Sequence, residues 1–555
     1  MKEKKELIII LGSLLVVVLS VSIAYFTTTI NSKNSNVSTS SAELKIVFTS
    51  GTGTIAGSEI EPGWSSGVNT FTVKNQSNGT YKYNIVIKDL INTFVTEGYL
   101  QYKITSTDGG YNMSDFKDVP KSTSATDKVL AYSVEIAKGA THTYSVEFRY
   151  LNSTTVNQNE DMGKKLSGTL FIEEGTTEPI LFYNKLLADN PTIQTRGSFS
   201  AIFTTTNTGT LYKATESIAG STAKDVYYFA GNATNNWVKF GKFQTDKVIY
   251  RGYYSATDSN YKEYSTMDAC TSASSYNNNC TEHVYWNKGN DIYWRIIRTN
   301  ADASIRLLYA GTSPDTTSGY IGESEFNSTY NDPMYVGYMY GTSGTLASNR
   351  TNENNSTIKT YIDNWYGYIL SSYTKYLSTE AVYCNARKAP DYDVSNDPDY
   401  DVSNDFDYYV YTRLSAGNPT YDCEDIKDAF SGTNNEAKLT YPIGLMTADE
   451  ITYAGGYKDT NLASPYAWYY LNSAGGSITG YTYWWSLSPM YWAGVSSSVW
   501  YVHGSDYPGN LDRYGYVDSE YGVRPAISLK TCALWTSGDG TPDAPYEIST
   551  TSGCW

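Results

Sequence analysis

Between residues 41 and 174 apolar and polar residues alternate in short runs. Examples are Glu43-Leu-Lys-Ile-Val-Phe48, Asn69-Thr-Phe-Thr-Val-Lys74, Lys82-Tyr-Asn-Ile-Val-Ile-Lys88, Thr143-Tyr-Ser-Val-Glu-Phe-Arg149 and Gly168-Thr-Leu-Phe-Ile-Glu173. A period of two sends alternate side chains to opposite faces of an extended chain, and with turn residues between runs it predicts a β-sandwich. The pattern changes further on. Trp237-Val-Lys-Phe-Gly241, Ile292-Tyr-Trp-Arg-Ile-Ile-Arg298 and Ser304-Ile-Arg-Leu-Leu-Tyr309 read as paired strands. From Ser356 to Tyr376, by contrast, Ile358, Tyr361, Ile362, Trp365, Ile369 and Leu370 fall at helical spacing. Pro442-Ile-Gly-Leu-Met-Thr-Ala-Asp-Glu450 predicts a strand running into a helix, with Thr447 as N-cap and Glu450 closing a capping box.

The two patterns meet at residues 174–178 (Glu-Gly-Thr-Thr-Glu) and Pro179, which break both periods. At 555 residues the chain exceeds what one core supports. The expected organisation is an export segment at 1–26, a sandwich at 27–175, a linker with one short helix (Ile180 to Ala188) at 176–225, and a second folded domain at 226–555. Composition favours short strands and turns: Gly, Ser, Thr and Asn are abundant, and 54 Tyr outnumber 16 Phe and 12 Trp. Tyrosine joins a large apolar ring to a hydroxyl that can stay wet, so the excess suits half-exposed surfaces.

Residues 1–26 carry +1 and residues 27–175 carry −2, so residues 176–555 hold −15 of the net −16. An acidic domain without a Lys/Arg stripe repels phosphate backbones, and no nucleic-acid partner is expected. At the start, Lys2, Lys4 and Lys5 precede an uncharged run from Leu7 to Phe26, long enough to cross a bilayer as a helix. Ser22 and Ala24 also suit signal peptidase, so the run is either a cleaved signal or a membrane anchor. Both place the remainder outside the cell. All six cysteines (Cys270, Cys280, Cys384, Cys423, Cys532, Cys554) follow residue 269. An even number in an exported half reads as a disulfide framework, the simplest of its fifteen pairings being sequential. Reduced, buried thiols are the alternative.

Two resemblances add to this reading. The Ala24-Tyr-Phe-Thr junction, Glu61-Pro-Gly63 before a strand and Val73-Lys-Asn75 resemble the TasA–camelysin family over roughly residues 5–175. Those are secreted sandwich proteins of Gram-positive bacteria, including biofilm-matrix fibre subunits. His142 is the only histidine of this part and no metal-ligand cluster accompanies it, so the peptidase activity ascribed to camelysins is not expected here. Over about residues 226–531 the strand and helix order, ending in Trp484-Trp-Ser-Leu-Ser-Pro489 and Tyr521-Gly-Val-Arg-Pro-Ala-Ile-Ser-Leu529, resembles bacterial C-type-lectin-fold domains. These belong to the branch shared with formylglycine-generating enzymes and with retroelement-diversified receptors. The resemblance implies an α+β domain with a twisted antiparallel sheet, two helices and long loops. The expected fold class is therefore an all-β sandwich followed by an α+β C-type-lectin-like domain.

In the diversified receptors the stretch between those motifs is the variable binding face. Here residues 490–520 are rich in Tyr, Trp, Ser, Asp and Gly, the mixture antibody paratopes use. The resemblance points to Tyr491, Trp492, Tyr501, His503, Asp506, Tyr507, Asp512, Tyr514, Tyr516 and Asp518 as ligand-binding positions. An ordinary turn-rich surface is the alternative. Arg524, beside Pro525, is expected to satisfy loop carbonyls or a carboxylate. The octet Pro390–Asp397 recurs unchanged as Pro398–Asp405, putting Asp391, Asp393, Asp397, Asp399, Asp401, Asp405 and Asp407 close together. Such oxygen-rich spacing can hold Ca²⁺, but the EF-hand Gly and terminal Glu are missing, so a duplicated solvent loop is the preferred reading and no cofactor is expected. Cys384 and Cys423 would tie its base.

Catalysis finds little support. The chain has 3 His and none of the motifs H-E-x-x-H, G-x-S-x-G or a phosphate-cradling glycine loop. Formylglycine-generating relatives use a closely spaced cysteine pair. Cys270 and Cys280 lie early in a Ser/Asn-rich loop, so that oxidase chemistry is a remote alternative. The expected function is that of a surface adhesin or receptor for a protein or glycan ligand, a sandwich stalk with a binding head. A matrix-fibre subunit polymerising through the sandwich is the second reading.

Overall fold

The computed structural model describes residues 46–50 and 60–554, apart from 78, 256–260, 274–278, 315–318, 345, 390–404 and 471–481. The export segment, whether signal or anchor, and all of the acidic repeat except Asp405 and Asp407 lie outside the described residues. No helix among the described residues is long and apolar enough to cross a membrane. The chain divides into two compact units, Met1–Glu178 and Pro179–Trp555.

The first unit follows its alternation closely. In Asn69–Asn75 the residues Asn69, Phe71, Val73 and Asn75 are buried while Thr70 and Lys74 face out. In Thr141–Tyr150 the buried set is His142, Tyr144, Val146, Phe148 and Tyr150. One antiparallel sheet runs Ile46–Ser50, Asn69–Asn75, Thr141–Tyr150, Leu100–Ser106, Lys117–Asp118. A second places Tyr81–Asn92 between Ser122–Ile136 and Leu166–Glu174. Both sheets contribute to one core, with Phe71, Val73 and Val146 from the first and Tyr83, Ile85 and Ile87 from the second. The Tyr83 hydroxyl joins them, 2.8 Å from His142 Nδ1 and hydrogen-bonded to the Tyr144 hydroxyl.

The second unit is also mostly strand, in many sheets with few helices. Its largest sheet has 11 strands and is mixed; Asp291–Thr299 pairs antiparallel with Trp237–Lys242 and Ile305–Tyr309, as the sequence pattern predicts. The expected helix forms over Thr357–Ile369, capped by Ser356, whose side chain accepts from the Lys359 N–H. Thr447 and Glu450 close the capping box of the Ala448–Ala454 helix. Three disulfides pair Cys270 with Cys280, Cys384 with Cys423 and Cys532 with Cys554, the sequential arrangement.

Residues 179–225 are no linker. Ile180–Leu181 pairs with Leu534–Ser537, the Phe182–Asp189 helix buries Phe182 and Leu186, and Thr210–Glu216 lies inside the large sheet beside Lys224–Tyr228. The Thr/Gly/Ser-rich composition of 197–223 suggested a loose tether. The few apolar side chains there are nonetheless enough to dock it, Leu211 being fully buried.

Candidate ligand-binding face

The candidate face is built on a sheet ordered Glu323–Glu325, Glu520–Gly522, Trp484–Trp492, Ser497–Val502, Leu511–Tyr516, with Phe406–Asp407 also paired to Trp484–Trp492. Trp484 and Trp485 are fully buried on opposite faces of their strand. The Trp485 ring packs on Phe326, and its Nε1–H donates to the Ser324 carbonyl at 2.8 Å. Trp484 lies 4.8 Å from the Arg524 guanidinium. Arg524 donates to the carbonyls of Tyr309, Gly319 and Tyr469, the role expected of it. With no carboxylate partner among those contacts, burial pushes it down to about 9.

Leu511–Tyr516 ends the sheet and carries a bulge. Val499 pairs with Gly515 and Tyr501 with Asp512, so one side spans an extra residue, and Tyr514 there has φ 61°. A tyrosine in the left-handed region is strained, and bulges of this kind re-aim a side chain at a sheet edge. Gly515 permits the bulge, because a Cβ there would stand 2.8 Å from the Trp485 ring and 2.9 Å from the Tyr501 ring. Tyr514 is turned outward, its ring 5.5 Å from that of Tyr491, whose hydroxyl donates to Asp405. That hydrogen bond, with burial and the Asp405 charge behind it, pushes Tyr491 up to about 12.

The ten expected binding residues separate into two groups. Tyr507, Tyr514 and Tyr516 are 52%, 44% and 48% exposed; Asp506 and Asp518 are exposed, and Tyr491 and Asp512 partly so. Trp492, Tyr501 and His503, however, are only 1%, 8% and 6% exposed. These three are buried, whereas the sequence reading expected an exposed face. Trp492 pairs with both Phe406 and Ser497, which puts it in the interior of the sheet. Tyr501 lies against Tyr521 and Tyr483, with ring centroids 4.9 and 5.6 Å away. His503 sits below Tyr483, Tyr501 and Tyr507, at 4.5, 5.1 and 5.0 Å.

Around His503 the polar contacts are specific. Its Nε2 lies 2.6 Å from Asp512 Oδ2, and Tyr501 donates to the same oxygen at 3.3 Å. Burial alone would raise Asp512, but hydrogen bonds from His503, the Arg513 backbone and Tyr501 hold it below the usual carboxylate range. Asp506 accepts from the Tyr483 hydroxyl at 2.8 Å and the Tyr507 N–H at 3.0 Å. Burial, followed by the Asp506 hydrogen bond, pushes the Tyr483 hydroxyl well up. Tyr483 and Tyr521 thus belong to the face, although the sequence reading placed Tyr521 in a flanking motif and did not single out Tyr483. The signal was present in their position, immediately beside Trp484-Trp485 and Gly522-Val523.

A separate cleft of about 430 Å³ adjoins the Cys384–Cys423 bond, lined in part by Lys388, Tyr409, Arg413, Asp425 and Asp428. Its charges pair among protein groups, Arg413 with Asp449, Arg387 with Asp428 and Lys388 with Glu424. Among the described residues no group of three or more His, Cys, Asp or Glu is placed to hold a metal ion.

The fold and the site together define a mostly β, disulfide-bonded protein of two units, the second carrying an aromatic and acidic face. Residues 354–531, from before the Thr357–Ile369 helix to just past the Pro525–Leu529 strand, match the family model described as a domain of unknown function, DUF6273. No curated protein matches the chain. Among solved structures the chain is similar, at 11% identity, to the crystal structure of a DUF4466 family protein from Parabacteroides merdae. That match covers 49% of this chain and 94% of the other with a TM-score of 0.10, too slight to carry an argument about fold or site.

Proposed function

We propose that the protein is an exported bacterial surface receptor or adhesin whose second unit, of C-type-lectin-like character, binds a protein or glycan ligand on the 490–520 face. One observation carries this reading: Tyr514 and Tyr516 on the edge strand, and Tyr507 in the turn before it, stand exposed, while Trp484 and Trp485 of the same sheet are wholly buried. A monomeric soluble protein has no folding reason to expose three large rings together, and Tyr is enriched at binding hot spots. Three disulfides fit an oxidising, extracellular setting. The reading is of a binding protein rather than an enzyme. Retroelement-driven diversification of this face, and the TasA-like character of the sandwich, are parts of the same proposal.

The test is to select ligands for the full chain from a displayed peptide library and a glycan array. The selected ligands should bind the native chain and fail to bind a Tyr507→Ala/Tyr514→Ala/Tyr516→Ala variant. Tyr368→Ala, which removes a still more exposed tyrosine from the Thr357–Ile369 helix, should leave binding intact. Ligands indifferent to the triple variant would move the function to the sandwich and favour a matrix-fibre subunit.

A further inference from the structure

We propose that the aromatic and acidic face around His503 receives a cationic side chain, a guanidinium or ammonium carried by a partner protein. The inference rests on reading 490–520 as a binding face and narrows that reading to a ligand class.

His503 Nε2, at 2.6 Å from Asp512 Oδ2, is the donor of that hydrogen bond, since the carboxylate accepts. Nδ1 is buried and has no hydrogen-bond partner among the described residues. What it faces is Asp506 Oδ1, 3.8 Å away and beyond hydrogen-bond reach. The buried Nδ1 thus lacks the partner that buried polar atoms nearly always have. A cationic N–H group arriving here would meet the charge of Asp506, whose present partners, the Tyr483 hydroxyl and the Tyr507 N–H, are neutral.

The surroundings select a charged N–H over a neutral one. Asp506 and Asp512 flank the imidazole, and neither forms an ion pair with a lysine or arginine among the described residues. Arg513, the nearest basic residue in sequence, is turned away; its Nε lies 2.9 Å from Asp459 and its guanidinium over Tyr411 and Tyr514. Asp518 and Glu520 extend the negative field toward Glu325, whose carboxyl is raised by burial and then by those two charges. Tyr483, Tyr501, Tyr507 and Tyr521 supply aromatic rings, whose negative quadrupole attracts cations, and Tyr507 is half exposed. A neutral sugar could stack on these rings but would leave both carboxylates uncompensated. A protein side chain bearing a cation meets every requirement.

Titrating the full chain with arginine amide, followed by NMR of the tyrosine rings, tests the assignment. Arginine amide should saturate, and citrulline amide, of the same shape without the charge, should bind at least about ten-fold more weakly. Choline, a cation without N–H donors, should also bind more weakly than arginine amide. Asp506→Asn should weaken arginine amide about five-fold while Tyr368→Ala, on the Thr357–Ile369 helix, leaves it unchanged. Because Asp506 is exposed, the Asn variant keeps its fold, which circular dichroism verifies. Absence of saturation, citrulline amide binding equally well, choline matching arginine amide, or an unaffected Asp506→Asn would each overturn the proposal. In those cases ligands selected on the full chain would still require Tyr507, Tyr514 and Tyr516 if the broader reading holds. Loss of that requirement would sink the broader reading as well.

Discussion

The two units solve the problem of buried polar groups differently. Among the described residues, the sandwich buries no lysine or arginine and one carboxylate, Asp161, whereas the second unit buries seven arginines together with Lys359. The sandwich satisfies its backbone through long ladders, such as Tyr81–Asn92 paired on both edges. The second unit has short strands and long connections, which bring carbonyls into the interior without a ladder to meet them. Arginine, with five donors in a rigid fork, reaches several at once. Arg524 holds three carbonyls, and Arg387 donates to the carbonyls of Met339 and Lys427 while its Nε lies 2.7 Å from Asp428. Bolts of this kind fix the loops from within, and Tyr514 and Tyr516 at the 511–516 edge stay exposed.

The largest effect should come from breaking such a bolt. Glu450 is buried between Arg298 and Arg306, at 2.9 and 2.7 Å, and Arg298 also reaches Glu216 at 2.8 Å. Burial would raise Glu450, yet the two arginines hold it below its ordinary range. Glu450→Gln leaves buried positive charge uncompensated and should cost about 3–5 kcal/mol. Of the 12 tryptophans only Trp64 precedes residue 179, so denaturant unfolding followed by tryptophan fluorescence reports on the second unit. An unshifted transition would mean the charges are not what fixes its loops.

Next in size is the Cys384–Cys423 bond, which closes a loop of sequence separation 39. Replacing both cysteines by serine should lower stability by roughly 2–4 kcal/mol in the same assay.

A smaller effect is a pH dependence at Glu323. Burial, with the Glu263 charge adding, pushes it from 4.5 up to about 7, against the opposing pull of Arg251 and a hydrogen bond from Tyr261. Between those values the folded chain keeps a proton that the unfolded chain has released. Its contribution to stability is therefore lost as pH rises from about 4.5 to about 7. Glu323→Gln should flatten that slope in thermal melts collected across the window.

The comparison also explains what was legible in the chain. The sandwich strands could be read because alternation is local, and Phe71, Val73 and Tyr144 fall where period two puts them. The paired strands at 237, 292 and 304, the 357–369 helix and the Thr447 capping box were equally readable, each being specified within a dozen residues. What escaped was long-range. Trp492, Tyr501 and His503 share the composition of Tyr507 and Tyr516, and only cross-strand partners such as Phe406, Tyr521 and Asp512 bury them. The docking of 179–225 escaped for the same reason, since its partners lie near the chain's end, at Leu534–Ser537.

The central claim is that the exposed edge binds and the layer beneath it folds. The smallest stability change should accordingly come from Tyr507→Ala/Tyr514→Ala/Tyr516→Ala, about 0.5 kcal/mol or less for each exposed ring, whereas Trp484→Ala in the fully buried layer should cost about 3–5 kcal/mol. The decisive measurement is the affinity of a library-selected ligand for the triple variant whose melting curve matches the native one. The account requires binding to fall by at least about 100-fold, since hot-spot tyrosines contribute roughly 2 kcal/mol or more apiece. A triple variant that melts normally and binds its ligand at native strength would contradict it.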